Sequence, residues 1–262
     1  MNALFIGYGS MGSAIGEAWL AKGLVASLAA VVPSMQAATS ATLYPSTSAV
    51  PATPFDVIVV AVKPAYACEV LTQLPAACCE GAVLVSVAAG ITTASLSQAL
   101  GQRCPVVRAM PNMLVTIGAG CTALFGEGLH AEQRTKIGEL FAAVGSANWL
   151  EREELMDAVT AISGSGTAYY HLFSEALTAA GVGLGLSPEL ASALVAQTAY
   201  GSASLQIQAG ADFGQLRRAV TSPNGTTAAA IDVFEHDQAL RQLVDLAARA
   251  AHHRSQALSQ DA

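Results

Sequence analysis

The sequence predicts an α/β chain in which a doubly wound parallel sheet is followed by an all-α domain. Three observations carry this. Short runs of apolar and β-branched residues alternate with helical patterns up to about residue 150. One of them, Phe55 to Val62, is apolar and β-branched after Asp56, as a parallel strand buried on both faces should be. After Glu151 no strand pattern remains.

Taken in order, Ala3 to Ile6 reads as a strand, Ser10 to Ala21 as an amphipathic helix and Ser27 to Val32 as a second strand. Residues 33 to 54 carry four prolines among many Ser and Thr, and predict only a short helix or loop. Phe55 to Val62 is a strand, Ala65 to Leu74 a helix, Ala82 to Ala88 a strand, Thr92 to Leu100 a helix and Pro105 to Met110 a strand. Cys121 to Phe125 and Ala147 to Leu150 are further strands, separated by a helix from Ala131 to Val144. Helices are then expected over 151–163, 168–180, 188–209, 213–220, 226–236 and 238–258. The implied division is 1–150 for the sheet domain and 151–262 for the helical one.

Composition bounds the function. Of the 262 residues 53% are hydrophobic and only 12% charged, too little charge to cover a monomer, so a large subunit interface is expected. The helices after Glu151 (GVGLGL, ASALVA, AAAI) are too apolar for one small bundle, and a second copy is the outlet. A net charge of −7 without a Lys/Arg cluster argues against nucleic acid. The start Met1-Asn2-Ala3-Leu4 lacks the basic region and cleavage site of a secretory signal, and no apolar run approaches the ~20 residues of a membrane span. Cys68, Cys78, Cys79, Cys104 and Cys121 form no CxxC pair and read as free thiols of a cytoplasmic protein, not as disulfides or metal ligands.

Gly7-Tyr8-Gly9-Ser10-Met11-Gly12 matches G-x-G-x-x-G, directly after the first strand and at the start of the first helix. Such a sequence alone is a weak signal; in this position it predicts a Rossmann dinucleotide loop. Gly7 makes the tight turn, Gly9 admits a pyrophosphate to the backbone, and Gly12 allows close packing of helix on sheet. The end of the second strand selects the cofactor. An NAD enzyme places Asp or Glu there for the ribose 2′-hydroxyl; this chain has Val31-Val32-Pro33-Ser34. A carboxylate would repel a 2′-phosphate, and the Ser34 hydroxyl can donate to one. NADP is expected, with NAD left open because no Arg clamp stands nearby.

Near the other end, Ser222-Pro223-Asn224-Gly225-Thr226-Thr227 is a punctuated turn that runs into an Ala-rich helix. The first-turn amides of that helix have no intrahelical acceptor, and with the helix dipole they attract an anion. Taken alone the turn reads first as an ordinary helix cap; beside a nucleotide loop it is where a small carboxylate substrate is placed. The five histidines are scattered, and Ser163-Gly164-Ser165-Gly166 does not match the G-x-S-x-G of a nucleophile elbow, so no acid–base or nucleophilic constellation appears. Lys63, before Pro64 at a strand's carboxyl end, reads equally as a charge partner or as part of a structural bend.

With both ends read, the chain resembles the pyrroline-5-carboxylate reductase family. The resemblance rests on Gly7 to Gly12, Ala61-Val62-Lys63-Pro64, Ser86-Val87-Ala88-Ala89-Gly90 and Arg108-Ala109-Met110-Pro111-Asn112. It continues through Ser163-Gly164-Ser165-Gly166 with Ala168-Tyr169, Glu175-Ala176-Leu177, and the turn Ser222 to Thr227. It implies an NADPH-dependent reduction of a carboxylated cyclic imine, 1-pyrroline-5-carboxylate, to L-proline. It also implies that Ala61 to Pro64, Ala88 and Ala89 line the cofactor and that Ser222, Asn224, Gly225, Thr226 and Thr227 bind the substrate carboxylate. Glu175, inside an apolar Ala/Leu-rich helix, reads as a buried hydrogen-bond acceptor orienting the turn rather than as an acid. By the resemblance Thr227 also lies near the imine nitrogen, and the helical domain interlocks with a second subunit. A homodimer or larger homo-oligomer follows. The chain departs from the family pattern at Met113-Leu114 (usually Thr-Pro), Thr167 (usually Pro) and Asn224 (usually Gly). The alternatives are a reductase of a related cyclic imine, a β-hydroxyacid dehydrogenase, or a non-catalytic NADP-sensing protein. The second usually needs a Lys on the linking helix, and 151–170 has none.

Overall fold

The computed structural model describes residues 1–36 and 39–260. They form two compact units, Met1–Ser165 with 251–260, and Gly166–Ala250.

The first unit is built on one eight-stranded sheet, β1 (Asn2–Ile6), β2 (Ser27–Val31), β3 (Thr42–Tyr44), β4 (Val57–Val60), β5 (Val83–Ser86), β6 (Val106–Met110), β7 (Gly120–Gly126) and β8 (Gly145–Trp149), in the order β3-β2-β1-β4-β5-β6-β7-β8. The helices of this unit are α1 (Ser10–Ala21), α2 (Pro64–Thr72), α3 (Thr93–Ala99), α4 (Ala131–Ala142) and α5 (Leu155–Val159). From β3 to β6 every pairing is parallel, and the order reverses at β1, as a doubly wound sheet requires.

Alternation along the strands explains both layers. Ala3, Phe5, Val57, Val59, Val83 and Val85 point to one face, where Ile15 and Trp19 of α1 and Phe141 of α4 cover them. Leu4, Ile6, Ile58, Val60 and Leu84 point to the other, under Leu71 of α2 and Leu96 of α3. Period-two strands buried on both sides therefore read as continuous apolar runs. Each fully buried Val, Leu, Ile or Phe side chain among them contributes roughly 1.5–3 kcal/mol. The Trp19 indole N–H donates to the Leu140 carbonyl at 2.7 Å, so even this largest core side chain is satisfied.

Two sequence expectations are corrected. Residues 33–54 hold a strand, β3, which pairs with β2 from Ala29↔Thr42 to Val31↔Tyr44. Proline and Ser/Thr content hid it, but a three-residue edge strand needs little propensity. And β7 is antiparallel to β6. The link between them is one 3₁₀ turn, Met113–Ile117, too short for the crossover that a parallel return demands. α4 then carries the chain back so that β8 lies parallel to β7. α5 runs into a π-helical turn, Thr160–Gly164, closed by Ser165 N–H to the Thr160 carbonyl at 2.8 Å.

The second unit contains α6 (Gly166–Gly183), α7 (Pro188–Gln206), α8 (Phe213–Ala219), α9 (Thr226–Glu235) and most of α10 (Ala239–Gln260). Ser187 and Asp212 cap α7 and α8 through their side chains. Large apolar side chains stay open on these helices and at their ends, among them Tyr170 on α6 at 73% exposure, Leu184 just after α6 at 87% and Ile207 just after α7 at 85%. Among its described hydrophobic residues only Ala191 is buried.

Candidate functional site

The glycine loop joins β1 to α1 at the carboxyl edge of the parallel strands, where open α/β sheets bind ligands. Gly7 has φ +92°, and a Cβ there would meet the Ala61 carbonyl oxygen at 2.6 Å. At Gly12 it would meet the Gly7 carbonyl oxygen at 2.7 Å and Ala61 Cβ at 3.2 Å. Both glycines are therefore demanded by packing. Gly9 is different: a Cβ there meets nothing within 4 Å. Gly9 is also the N-cap of α1, with no side-chain cap and no acidic residue in the first turn. The result is an uncapped, electropositive helix start beside open space, which fits a pyrophosphate.

The structure brings several of the expected residues together. Ala61 and Val62 close against the glycine loop, and the Ala61 N–H donates to Ile6 at the end of β1. Lys63 is the N-cap of α2 and Pro64 its first residue, both exposed. The loop after β5 leaves the same edge of the sheet. Its Ala88 N–H donates to Ser86 Oγ at 3.2 Å, and Gly90 turns it with φ +79°. Ser34 lies exposed in the turn after β2, its hydroxyl accepting the Gln36 N–H at 3.3 Å. No carboxylate stands at the end of β2, so the site fits a 2′-phosphate better than a bare ribose hydroxyl.

Tyr8 turns inward. Its ring packs edge-on to Phe5, and its hydroxyl donates to Glu17 Oε1 at 2.8 Å. Burial pushes the Tyr8 hydroxyl pKa above the ordinary tyrosine range, so it is a fixed neutral donor. Thr39 also donates to Glu17 Oε1. Glu17 thus ties the segment after β2 to the glycine loop. Sequence reasoning missed it, although a single carboxylate inside an otherwise apolar helix was the available signal.

Two further polar groups, quoted in the sequence only as part of a family motif, take on structural roles. Asn112, 7% exposed, donates from Nδ2 to the Ser163 carbonyl in the π turn and accepts the Cys121 N–H on Oδ1. Arg108 on β6, equally enclosed, pairs with Glu153 at 2.8 Å. A lone cation inside the strand Val106-Val107-Arg108-Ala109-Met110 was its signal.

In the helical unit the expected substrate turn has the anticipated local geometry. Asn224 adopts φ +59°, a left-handed conformation that Asn tolerates. The Gly225 N–H returns to the Ser222 carbonyl at 3.1 Å, and a Cβ on Gly225 would meet Ser222 Oγ at 2.5 Å. Gly225 then caps α9 without any side-chain hydrogen bond, which leaves the amides at Thr226 and Thr227 available. Glu175 corrects an expectation. On α6 it is exposed and lines a groove with His171, Ser174 and Ser192 between α6 and α7. The helix packing that would bury it is not supplied by its own unit.

A family model described as pyrroline-5-carboxylate reductase dimerisation matches residues 153–258, and one described as NADP oxidoreductase, coenzyme F420-dependent, matches 3–90. The pyrroline-5-carboxylate reductase of Pseudomonas aeruginosa is 45% identical over 206 residues, covering 78% of this chain and 75% of that one. The chain belongs to the pyrroline-5-carboxylate reductase family. The solved structure of the Coxiella burnetii pyrroline-5-carboxylate reductase is similar over 98% of both chains, at 34% identity and TM-score 0.91. That of Plasmodium falciparum pyrroline carboxylate reductase, with NADP bound, covers 99% of this chain and 98% of that one at 30% identity and TM-score 0.86.

Within a pyrroline-5-carboxylate reductase family chain, the departures noted above take physical form. Asn224 supplies the positive φ that the usual glycine would. Met113 stays half-exposed at the start of the 3₁₀ turn after Asn112. Thr167 places a buried hydroxyl, unpaired among the described residues, where the family usually has proline.

Proposed function

We propose that this chain reduces the cyclic imine 1-pyrroline-5-carboxylate to L-proline with NADPH, as a homodimer or larger homo-oligomer in the cytoplasm. The observation that supports it most is the full-length likeness to the Coxiella burnetii enzyme, helical region included. Among the described residues no helix is long and apolar enough to cross a membrane.

NADPH, when bound, supplies the hydride; the carbon of the imine, protonated on nitrogen, accepts it, so the protein needs orientation and charge more than an acid–base pair. Gly7 makes the turn, its own N–H held by the Val31 carbonyl at 3.2 Å, and Tyr8, Gly9, Ser10, Met11 and Gly12 present the backbone amides at the start of α1 to the pyrophosphate. Ser34 faces the 2′-phosphate. Ala61, Val62, Lys63, Pro64, Ala88 and Ala89 line the nicotinamide half, with Lys63 either a charge partner or part of the bend. Ser222, Asn224, Gly225 and Thr226 receive the substrate carboxylate, and the Thr227 hydroxyl also lies near the imine nitrogen, where it accepts the N–H of the protonated imine. In function the chain divides at 150/151, the cofactor before it and the substrate turn and subunit surface after it. The open apolar faces of α6, α7 and α10 are the subunit surface.

Met113 and Leu114, beside the buried Asn112, favour a second reading in which a related cyclic imine is preferred. One assay separates the readings: NADPH and NADH oxidation with pyrroline-5-carboxylate and with its six-membered homologue. NADPH with the five-membered imine gives the highest kcat/KM, and Ser34→Asp reverses or abolishes the preference for NADPH. Equal rates with both cofactors in the parent enzyme sink the role given to Ser34. No oxidation with either imine sinks the reading as a whole.

A further inference from the structure

We infer that Glu153 and Arg108 are positioning residues that hold the Val87–Thr92 loop in the shape that receives the cofactor; the inference rests on the NADPH reading above. The loop leaves β5 at Ser86 and ends at the first residue of α3, Thr93. At its start Ser86, buried, holds the Ala88 N–H through Oγ at 3.2 Å. At its end both donors of Thr93 go to Glu153: the N–H to Oε1 and the hydroxyl to Oε2, each at 2.8 Å. Glu153 Oε1 also accepts from Arg108 Nη1 at 2.8 Å. Arg108 stands opposite Ser86 in the β5–β6 ladder.

The connections close on themselves. From Ser86 the loop runs to Thr93, the carboxylate carries it to Arg108, and the ladder returns to Ser86. A loop pinned at both ends to one pair of strands has a fixed span. It is also covered: a Cβ on Gly90 would meet the Leu258 carbonyl oxygen at 3.3 Å, in the last turns of α10. The Arg108 and Glu153 side chains are only 11% and 20% exposed, so their pairing works with little screening from water. Without the carboxylate, the start of α3 loses two hydrogen bonds and Arg108 loses its counter-charge. The loop then samples conformations that do not fit the ligand, and affinity falls by the fraction of time spent in them.

The test uses two variants of the full-length protein and their combination. Glu153→Gln keeps the shape and removes the charge. Thr93→Val removes one donor and leaves the Arg108–Glu153 pair in place. NADPH dissociation constant, thermal midpoint and kcat at saturating NADPH are measured for each, beside the parent. Glu153→Gln raises the NADPH dissociation constant about tenfold and Thr93→Val about threefold, the span expected for hydrogen bonds to a charged acceptor. The double variant is no weaker than Glu153→Gln alone, because both act through one carboxylate. At saturating NADPH, kcat recovers most of the parent value. A merely structural anchor would lower the midpoint and leave NADPH affinity unchanged in the folded protein, and that result overturns the inference. If Glu153→Gln does not fold, Thr93→Val decides by the same criterion. A parent that oxidises NADPH with pyrroline-5-carboxylate while both variants bind NADPH normally breaks this inference alone. A parent that neither binds nor oxidises NADPH breaks the functional reading beneath it.

Discussion

The two units of the chain solve the burial problem in opposite ways. The sheet unit puts Leu4, Phe5, Ile58 and Leu84 wholly out of water, between helices on both faces. The helical unit spreads its apolar residues around each helix and leaves Leu172, Tyr200, Leu243 and Leu246 more than half exposed. Hydrophobicity of sequence is thus not the same as a core. A strand pattern finds its cover inside one chain, because sheet and crossover helices come from the same segment. Helices apolar on several sides need more partners than one small bundle provides, and monomers rarely leave so much apolar surface open.

Core and surface substitutions test this contrast most strongly. Leu84→Ala, at a fully buried site, costs about 2–5 kcal/mol, read as a lowering of the thermal midpoint below the parent's by the same amount at every protein concentration. Leu243→Asp in α10 leaves the sheet unit folded and shifts the mass measured by light scattering from oligomer to monomer. The parent's midpoint rises with concentration, because association stabilises whatever binds the folded state. A parent that is monomeric at micromolar concentration breaks the comparison.

The ligand turns sharpen it next. Thr227→Ala removes a hydrogen bond worth roughly 1.5–3 kcal/mol to a charged partner, or about 10- to 150-fold in kcat/KM for the imine. NADPH affinity stays at the parent value in this variant. Thr226→Ala costs less. An unchanged kcat/KM in Thr227→Ala, or an equal loss of NADPH affinity, shows the substrate is held elsewhere.

In the sheet unit the glycines part company. Gly9→Ala keeps the thermal midpoint, since its Cβ meets nothing, and weakens NADPH about tenfold by crowding the phosphates. Gly7→Ala lowers the midpoint outright, because φ +92° and the Ala61 backbone both oppose a side chain. Titration by NADPH fluorescence, beside a thermal melt, separates the two.

The smallest effect belongs to the helical unit's polar fastening. Arg241 and, behind it, Arg217 hydrogen-bond Glu235 and hold its carboxyl down at about 2. A carboxylate with a lowered folded pKa stabilises at pH above its ordinary value near 4.5, and that contribution fades as pH falls from there toward 2. Glu235→Gln therefore melts slightly below the parent at neutral pH, and the gap closes across that acid window. Because Glu235 is only part-buried and its arginine partners reach into solvent, the gap is small. A gap that widens on acidification contradicts the pairing.

Much of the sheet unit was legible because its signals are local. Val57–Val60 reads as a buried strand from composition alone, and Gly7 to Gly12 reads as a loop because its glycines must sit between a strand and a helix. β3 was not legible, since a three-residue edge strand leaves no periodicity to read. Nor was the reversal at β7, which depends on how little chain lies between Met110 and Gly120. In the candidate site, the backbone elements were readable and the supporting side chains were not. Glu17, Asn112 and Glu153 each act on residues far along the chain, Glu153 on Thr93 sixty positions away.

By itself the sequence determined the alternation of strands and helices, the nucleotide loop with no carboxylate at the end of β2, and the Asn-Gly turn that starts α9. Each depends on conformational and charge preferences within a few residues. Only the tertiary structure decided that Gly9 faces open space while Gly7 and Gly12 face backbone, and that Arg108 meets Glu153. It also decided that the helical unit leaves its apolar faces uncovered. Those facts depend on which distant atoms share a volume, and packing of the whole chain settles that where local preference cannot.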